Sequence, residues 1–472
     1  MAIRKEAAEV VNSTANKIDI GNLSINEAID WLQKKAKEEE TVVSFFEEFS
    51  PYHAYDALVS FRRALDEIYG WVDDVAMKTF FGPRPPQMIP IKVSFTETVH
   101  VPHGQIKIPK LSGFLNTAFD DGKLIIHGEF KKKEIPELKK IAALTRENLK
   151  TGSIYKGKAI KIGDDGFETP EFLDLSGVRE GELVFSKHVQ DQLESKLWTL
   201  LEHTKHHQKY QVPFGQGVLL TGKYGTGKTL AALITAHKAQ QNGVTFLQLK
   251  HANQLPQALI FIKPYTKAVV FVEDLDRIAG GQRDAKLDNL MNTFDGMDSK
   301  SDELIKLATT NNEEIIHPGM LRHGRFNSII WVTPPDAEAA IRLVRIYGRE
   351  LIDAKEDLTE VGEELNGKIP AMIRGVVETA KMATINRLAR VQPNGHVVKL
   401  EGQVTAEDLL IAARGEADHE ALVNRKPVSG VKEVGVHLWF DGEKLTGNTN
   451  KEQFDKLHPQ VQMSTANQHA GD

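Results

Sequence analysis

The sequence contains no cysteine among its 472 residues. Disulfide bonds and zinc sites with cysteine ligands are therefore excluded for this chain. Long apolar runs are also missing, because stretches such as residues 268–272 fall far short of the roughly 18–20 residues that a membrane-spanning helix needs. The first six residues contain no apolar stretch of the signal-peptide type. These absences predict a soluble, cytoplasmic protein without a membrane partner.

An excess of positive charge is absent as well. The chain has 59 lysines and arginines against 65 acidic residues, for a formal net charge of −6. A dedicated nucleic-acid-binding domain is normally basic. Basic runs occur at residues 131–133 and 34–35, but short charged runs more often form solvated faces than binding sites. Nucleic acid is therefore not the expected partner.

Residues 1–86 are predicted to be a helical region. Ser24 and Glu27 have the spacing of a capping box, and apolar residues follow at helical intervals. A second helical pattern runs from Tyr55 to Tyr69. The glycine- and proline-rich residues 82–86 then break the chain and indicate a domain boundary.

Residues 87–182 are predicted to be a small β-rich module. Polar and apolar residues alternate in segments 91–96, 105–108 and 158–162, which is the pattern of half-buried strands. A helix is expected near residues 135–149. No group of residues in this module suggests chemistry. We therefore expect residues 1–180 to dock a protein substrate or an adaptor.

The remainder of the chain is predicted to be an α/β domain with a helical lid and a tail. Apolar strands alternate with helices over residues 183–335, as in a parallel sheet covered on both faces. A helical lid follows over residues 336–416, and its last helix is expected to end at Gly415. Residues 417–472 are predicted to contain a hairpin at 437–444, with an Asp-Gly turn, and a disordered tail after about Thr446.

A glycine-rich loop follows the strand at residues 217–221. Residues 222–229 have the P-loop pattern, in the strand–loop–helix setting that the pattern requires. The glycines let backbone N–H groups face a polyphosphate, the lysine reaches the β- and γ-phosphates, and the final threonine hydroxyl ligates Mg²⁺. The sequence thus predicts a site for ATP and Mg²⁺. Its expected nucleotide-binding residues are Gly222, Tyr224, Gly225, Thr226, Gly227, Lys228, Thr229 and Leu230.

A second apolar strand, at residues 269–272, ends in the acidic residues Glu273 and Asp274. In P-loop ATPases a strand of this kind supplies a residue that holds Mg²⁺ and a carboxylate that polarises the attacking water. The alternative is a core strand whose acidic end merely meets solvent. The P-loop upstream favours the catalytic interpretation.

With the residues that follow, this segment resembles the AAA clade of the AAA+ P-loop ATPases. Asn311, after the strand at residues 304–308, is similar to the first sensor residue of that family, which helps to orient the lytic water. Residues 317–326 closely match the family's second region of homology, and residues 290–297 also fit the family pattern. The resemblance implies that Arg322 and Arg325 are arginine fingers donated to a neighbouring subunit's nucleotide. It also implies a homo-oligomeric ring, by similarity a hexamer.

The order of the acidic pair differs from that of most of the clade, which has Asp-Glu at this place. Neighbouring residues on a strand point to opposite faces, so the two cannot simply exchange roles. Position for position, Glu273 together with Thr229 would serve Mg²⁺, and Asp274 would activate water. The mitochondrial AAA chaperones that translocate a folded Rieske protein are similar in having Glu-Asp order and are ATPases. Hydrolysis is therefore expected.

Two further departures concern the pore and the lid. AAA unfoldases usually carry an aromatic–apolar–glycine loop after their second strand, whereas residues 250–267 contain no glycine. Phe261 and Tyr265 are predicted to pack in the interior instead. Arg374 opens a lid helix where many AAA+ proteins have an arginine that senses the γ-phosphate. It is a candidate nucleotide-binding residue, with an ordinary surface arginine as the alternative.

His203, His206 and His207 have helical spacing, and a solvated helix face is a better interpretation than a metal site.

By resemblance, the chain is predicted to be an ATPase that remodels or moves a protein partner. Two alternatives stay open: a nucleotide-gated assembly scaffold with little turnover, and a DNA-associated AAA+ loader. The partner itself is not identified by family analogy.

Overall fold

The computed structural model describes residues 24–70, 78–79, 82–83, 87–204, 206–275, 303–311, 326–390, 402–423, 437–440 and 445–448. The chain divides into two compact units, Met1–Arg374 and Gly375–Asp472. This division falls inside the segment 336–416 that was predicted to form one lid. Among the residues described, no helix is long and apolar enough to cross a membrane.

The described α-helices are α1 (Ile25–Glu39), α2 (Ala54–Tyr69), α3 (Ile135–Gly152), α4 (Lys187–Leu193), α5 (Thr199–Glu202), α6 (His206–Tyr210), α7 (Lys228–Gln241), α8 (Leu255–Ile262), α9 (Ala337–Gly348), α10 (Thr359–Glu364), α11 (Pro370–Arg390) and α12 (Ala406–Val423). The described strands are β1 (Val42–Glu48), β2 (Lys78–Thr79), β3 (Gly82–Pro83), β4 (Gln87–Lys92), β5 (Thr98–His103), β6 (Gln105–Ile106), β7 (Leu115–Asp120), β8 (Lys123–Lys131), β9 (Ala159–Gly163), β10 (Gly166–Phe172), β11 (Gly217–Thr221), β12 (Thr245–Leu249), β13 (Ala268–Val272), β14 (Leu304–Thr310), β15 (Ser328–Trp331), β16 (His437–Phe440) and β17 (Leu445–Asn448).

The capping box that begins α1 is confirmed. The Ser24 backbone N–H donates to the Glu27 carboxylate at 2.9 Å, and the Glu27 N–H donates to Ser24 Oγ at 3.4 Å. These two hydrogen bonds satisfy donors that would otherwise have no partner at the helix N-terminus. Local sequence was enough to place this helix end, because both partners lie within one turn.

A strand interrupts the region that was predicted to be helical. β1 pairs antiparallel with β8 over all seven of its residues, in a four-stranded sheet with the order β1-β8-β7-β6. Helices α2 and α3 pack against each other and against this sheet. Residues 24–152 are therefore a single α+β arrangement, here called the small domain, rather than a helical region followed by a separate β-rich module. The partner of β1 is about 80 residues away, so local sequence could not reveal the pairing.

The second sheet has seven strands in the order β10-β9-β12-β13-β14-β11-β15. β9 runs parallel to β12, and β10 is antiparallel to β9. All the other neighbouring pairs are parallel. The residues of β9 and β10 fall within the segment 87–182 that was predicted to be a β-rich module, but the structure places both strands in this sheet. Alternation identified β9 as a strand without identifying its partner.

Helices and the small domain cover the two faces of the seven-stranded sheet. On one face, Val218, Leu220 and Phe271 pack with the buried side of α7 and with α4 and α5. On the other face, Leu219 and Val270 belong to an apolar core that continues into the small domain. Since both faces are covered, every residue of the central strands β11, β13 and β14 is buried, and most of these residues are apolar.

In the C-terminal unit, α12 begins with Thr405 capping the backbone of Asp408 at 3.2 Å. The helix continues to Val423, so the predicted end at Gly415 is wrong. One glycine only weakens a helix and does not by itself end it.

β16 and β17 form the predicted hairpin, with His437 opposite Asn448, but it extends beyond the predicted residues 437–444. The predicted disordered tail after about Thr446 is wrong for residues 446–448, because they pair with β16 as part of β17. The predicted Asp-Gly turn of the hairpin, and the tail after residue 448, lie outside the described residues.

Candidate nucleotide site

The candidate site lies where three neighbouring parallel strands end. β14 lies between β13 and β11, and all three run in the same direction. The P-loop follows β11, the acidic pair follows β13, and Asn311 follows β14. Because the carboxyl ends of parallel strands share one edge, these segments are brought together there. The strand order explains how residues spread over some 90 positions of sequence can act on one ligand.

Glycine is required in the P-loop by backbone geometry. Gly222 has φ 154°, and a Cβ there would lie 2.3 Å from the carbonyl oxygen of Val332. Gly227, which precedes the first residue of α7, has φ 100°. L-residues with side chains rarely adopt such angles. The loop can therefore wrap closely at the helix N-terminus, where backbone N–H groups are available to an anion.

Lys228 lies against the loop rather than in solvent. Its Nζ donates to the carbonyl oxygens of Gly222 at 2.7 Å and Lys223 at 2.8 Å, and the side chain is buried. Thr226 Oγ1 donates to the same Lys223 carbonyl at 2.9 Å. A buried ammonium group held over a loop of backbone amides is a strong attractor for phosphate.

Thr229 and Glu273 place two oxygens next to each other at the start of α7. The Thr229 hydroxyl donates to Glu273 Oε1 at 2.7 Å, and Glu273 is half-buried. Hydroxyl and carboxylate oxygens are the donors that Mg²⁺ prefers, usually together with water and substrate phosphates. The pair therefore fits a magnesium ion held between the P-loop helix and the acidic strand.

Asp274 points to a different partner. Asn311 Nδ2 donates to Asp274 Oδ1 at 2.8 Å, and Asp274 has a positive φ of 49°. β13 ends at Val272, so the strand rule that neighbours point to opposite faces no longer constrains the acidic pair. The structure thus separates the two carboxylates, with Glu273 at Thr229 and Asp274 at Asn311.

Of the remaining candidate residues, two are exposed, one lies over an aromatic ring, and two lie outside the described residues. Tyr224 and Leu230 are 68% and 37% exposed. Arg374 lies over the ring of Tyr347, with its guanidinium carbon 4.9 Å from the ring centroid. Arg322 and Arg325 lie outside the described residues, as does the segment 290–297.

Sequence reasoning missed three contacts around the P-loop and the acidic pair. Thr309 accepts the Asp274 N–H on its side-chain oxygen at 3.1 Å. Ile369 packs on Gly225, where an added Cβ would lie 2.9 Å from Ile369 Cδ1. Phe185 lies similarly against Gly227. Hydrophobic or β-branched residues in ordinary strand and helix patterns do not reveal such contacts, because these depend on tertiary placement.

The segment after β12 is packed rather than open. Phe261 and Tyr265 are 8% and 0% exposed, which confirms that both are packing residues. Their rings lie within 6 Å of Tyr155, next to the small domain.

The rings of His203 and His206 meet edge-on at 5.8 Å, and the side chain of His207 lies outside the described residues.

Residues 218–334 match the model of the ATPase family associated with various cellular activities (AAA). Among curated proteins, the chain is 29% identical over 239 residues to the ATP-dependent zinc metalloprotease FtsH of Thermobaculum terrenum, covering 46% of this chain and 35% of that protein. It is 27% identical over 202 residues to the 26S proteasome regulatory subunit 8 homolog of Schizosaccharomyces pombe, covering 39% and 50%. It is 28% identical over 256 residues to the proteasome-activating nucleotidase of Methanocaldococcus jannaschii, covering 50% and 56%.

The chain therefore spans about a third to just over half of the length of these relatives. The His-Glu-x-x-His pattern of zinc metalloproteases does not occur in the 472 residues, so the likeness to FtsH concerns the ATPase part. The family match covers the P-loop, the acidic strand and Asn311, which are the segments that the sheet brings together. Residues 218–334 are therefore similar to the AAA family of ATPases, in agreement with the resemblance that the sequence motifs indicated.

Proposed function

We propose that this protein hydrolyses ATP with Mg²⁺ and uses the energy to remodel or move a protein partner. The observation that carries the proposal is that the two carboxylates of the acidic pair bind different partners. One carboxylate is hydrogen-bonded to the P-loop threonine, and the other to the amide of Asn311. A nucleotide-binding scaffold would need only the first of these arrangements. The second supplies a positioned base, which favours hydrolysis over a scaffold with little turnover.

In the proposed reaction, Lys228 and the loop amides would bind the β- and γ-phosphates, and Thr229 and Glu273 would hold Mg²⁺. Bound Mg²⁺ would neutralise charge on the phosphate oxygens. Asp274, held by Asn311, accepts a proton from water as the water oxygen forms a bond to the γ-phosphorus. The bond from that phosphorus to the bridging oxygen breaks, and ADP leaves with the bridging oxygen.

Oligomerisation belongs to the same proposal. Arg322 and Arg325 would act on the nucleotide of a neighbouring subunit, which demands a homo-oligomer, by family resemblance a hexameric ring in the cytoplasm. Arg374 would sense the γ-phosphate. It lies on α11 five residues after Ile369, which contacts the P-loop glycine Gly225. Loss of the Tyr347 stacking contact would be the first step of that sensing.

We propose that the partner is a protein that docks on the small domain in a chaperone-like manner. Two relatives carry proteasome functions in their names, which supports a protein as the partner. The basic run at residues 131–133 is mostly offset in the structure, because Lys132 pairs with Glu38, and Lys131 and Lys133 both pair with Glu40. This pairing argues against a DNA-associated loader.

The test compares Asp274→Asn with Lys228→Ala and the wild type. We expect the wild type to hydrolyse ATP, Lys228→Ala to lose nucleotide binding, and Asp274→Asn to bind ATP with turnover reduced by at least about 100-fold. Each protein is then purified with ATP present from the host that naturally makes it. A protein enriched on Asp274→Asn alone would support a remodeller. Wild-type turnover no greater than that of Lys228→Ala, with ATP still bound tightly, would establish the scaffold instead.

A further inference from the structure

We infer that Thr309 is a positioning residue that holds Asp274 in a left-handed backbone conformation, and that this conformation makes the Glu-Asp order work. The inference rests on the proposed ATPase function and adds to it a residue outside the P-loop, the acidic pair and Asn311. Thr309 lies on β14, one residue beyond the last pair that β14 forms with β13, Ala308 opposite Val272. It is buried, with 1% of its surface exposed.

Thr309 binds two consecutive backbone amides of the acidic segment. Its Oγ1 accepts the N–H of Asp274 at 3.1 Å, and its carbonyl oxygen accepts the N–H of Leu275 at 2.8 Å. In a regular parallel ladder, one residue does not accept neighbouring amides with its side chain and its backbone. The two bonds therefore take the chain out of the strand at this point and turn it.

At this turn the backbone of Asp274 adopts a positive φ of 49°. Non-glycine residues are uncommon in this region, and aspartate and asparagine are enriched there because their short polar side chains tolerate it. Glutamate lacks this tolerance. The geometry thus gives a reason for aspartate at the second position of the pair: the residue that reaches Asn311 must also adopt a positive φ.

We call the two hydrogen bonds that Thr309 accepts from the amides of Asp274 and Leu275 the clamp. Of its two acceptors, only the side-chain hydroxyl can be removed by substitution. Thr309→Val keeps the shape and the backbone carbonyl but removes the acceptor for the Asp274 N–H. We expect kcat to fall about tenfold or more, since small displacements of a catalytic group are costly, while nucleotide affinity stays within about threefold. Thr309→Ser restores the hydroxyl and should restore most of kcat.

Thr145→Val is the matched control. Thr145 is a fully buried threonine on α3, and its hydroxyl donates only to the carbonyl of Ile141 at 2.8 Å, far from the site. It should change thermal stability about as much as Thr309→Val does, without changing kcat. A Thr309→Val protein with wild-type kcat would overturn the inference, and so would equal losses of kcat in the two valine variants.

Asp274→Glu tests the same idea without altering Thr309. It retains the carboxylate but places a residue with poor tolerance for positive φ at this position, so kcat should fall about tenfold or more. Full activity of this variant would show that the left-handed conformation does not matter.

Amide hydrogen exchange measures the clamp without any turnover. The peptide covering residues 268–275 should exchange faster in Thr309→Val than in the wild type or in Thr145→Val. Unchanged exchange would contradict the clamp even if the protein is an active ATPase. Faster exchange in a protein that does not hydrolyse ATP would instead support the clamp and refute the proposed function.

Discussion

The two sheets of this protein differ in how much of each strand is buried. Every residue of β11, β13 and β14 in the seven-stranded sheet is buried. In the small domain, β1 is half-exposed, and Phe46 on it is 62% exposed while its neighbour Phe45 is buried. A sheet covered on both faces can place polar chemistry only where its strands end. The small sheet instead has a solvent-accessible face along β1, which suits the docking role that we propose for the small domain.

The small domain and the ATPase sheet meet through buried polar groups. Asp56 accepts hydrogen bonds from Ser153 Oγ at 2.7 Å and the Ile154 N–H at 2.9 Å, and it also bonds the hydroxyl of Tyr265. The His53 N–H donates to that same tyrosine oxygen at 3.2 Å. Tyr265 follows α8, so the segment between β12 and β13 is tied to the small domain. The small domain is therefore attached next to the amino end of β13, whereas the candidate nucleotide site lies at its carboxyl end.

The largest predicted effect is the difference between alanine substitutions at two glycines, one in the P-loop and one in the small domain. Gly222→Ala places a Cβ 2.3 Å from the Val332 carbonyl oxygen, whereas Gly122→Ala, at φ 71° between β7 and β8, has nothing within 4 Å. We expect Gly222→Ala to lose nucleotide affinity by at least about tenfold and to destabilise the fold strongly. Gly122→Ala should cost only about 1 kcal/mol, from backbone strain alone. Nucleotide titration measures the affinity of both variants, and chemical denaturation measures their free energy of unfolding. Equal effects in the two variants would contradict this prediction.

The second prediction compares burial in the two sheets. Leu219→Ala, in the fully buried β11, should lower the free energy of unfolding by about 3 kcal/mol, because it leaves a cavity beneath the P-loop strand. Phe46→Ala, on the exposed face of β1, should lower it by less than about 1 kcal/mol despite the larger side chain that is removed. Urea unfolding of both variants is the measurement. A Phe46→Ala cost as large as that of Leu219→Ala would mean that the outer face of the small sheet is covered.

The third prediction concerns pH at the junction of the two regions. Burial raises the pKa of Asp56 from 3.8 to about 6. Between those values the folded protein binds a proton that the unfolded chain does not, so the stabilisation from Asp56 is present at low pH and is lost as pH rises towards 6. The unfolding free energy of the wild type minus that of Asp56→Asn should therefore fall by about 2 kcal/mol between pH 4 and pH 6.

The variant difference is needed because His53 acts in the opposite direction. Burial lowers the pKa of His53 from 6.5 to about 4, so its contribution to stability increases as pH rises across nearly the same range. His53 is present in both proteins, and its effect cancels in the difference. A difference that is flat with pH, or that rises, would refute the assigned burial cost of the Asp56 charge.

Much of the ATPase domain could be predicted from sequence because its determinants are local. The P-loop, the strand before it and the helix after it are contiguous, and glycine at residues 222 and 227 is dictated by backbone angles within the loop. The capping box of α1 is local in the same sense. In contrast, β1 was missed, and the residues of β9 and β10 were predicted to belong to another domain. Their partners β8 and β12 are distant in sequence, and alternation specifies a strand without its neighbour.

By itself, the sequence determined that the chain carries a P-loop ATPase domain with an acidic strand and a following asparagine. The tertiary structure decided how these parts meet. Glu273 and Asp274 are adjacent in sequence, yet one bonds Thr229 and the other bonds Asn311. The reason is that β13 ends before them and the neighbouring strand turns the backbone at Asp274 through Thr309, a contact between chain segments that no local pattern contains.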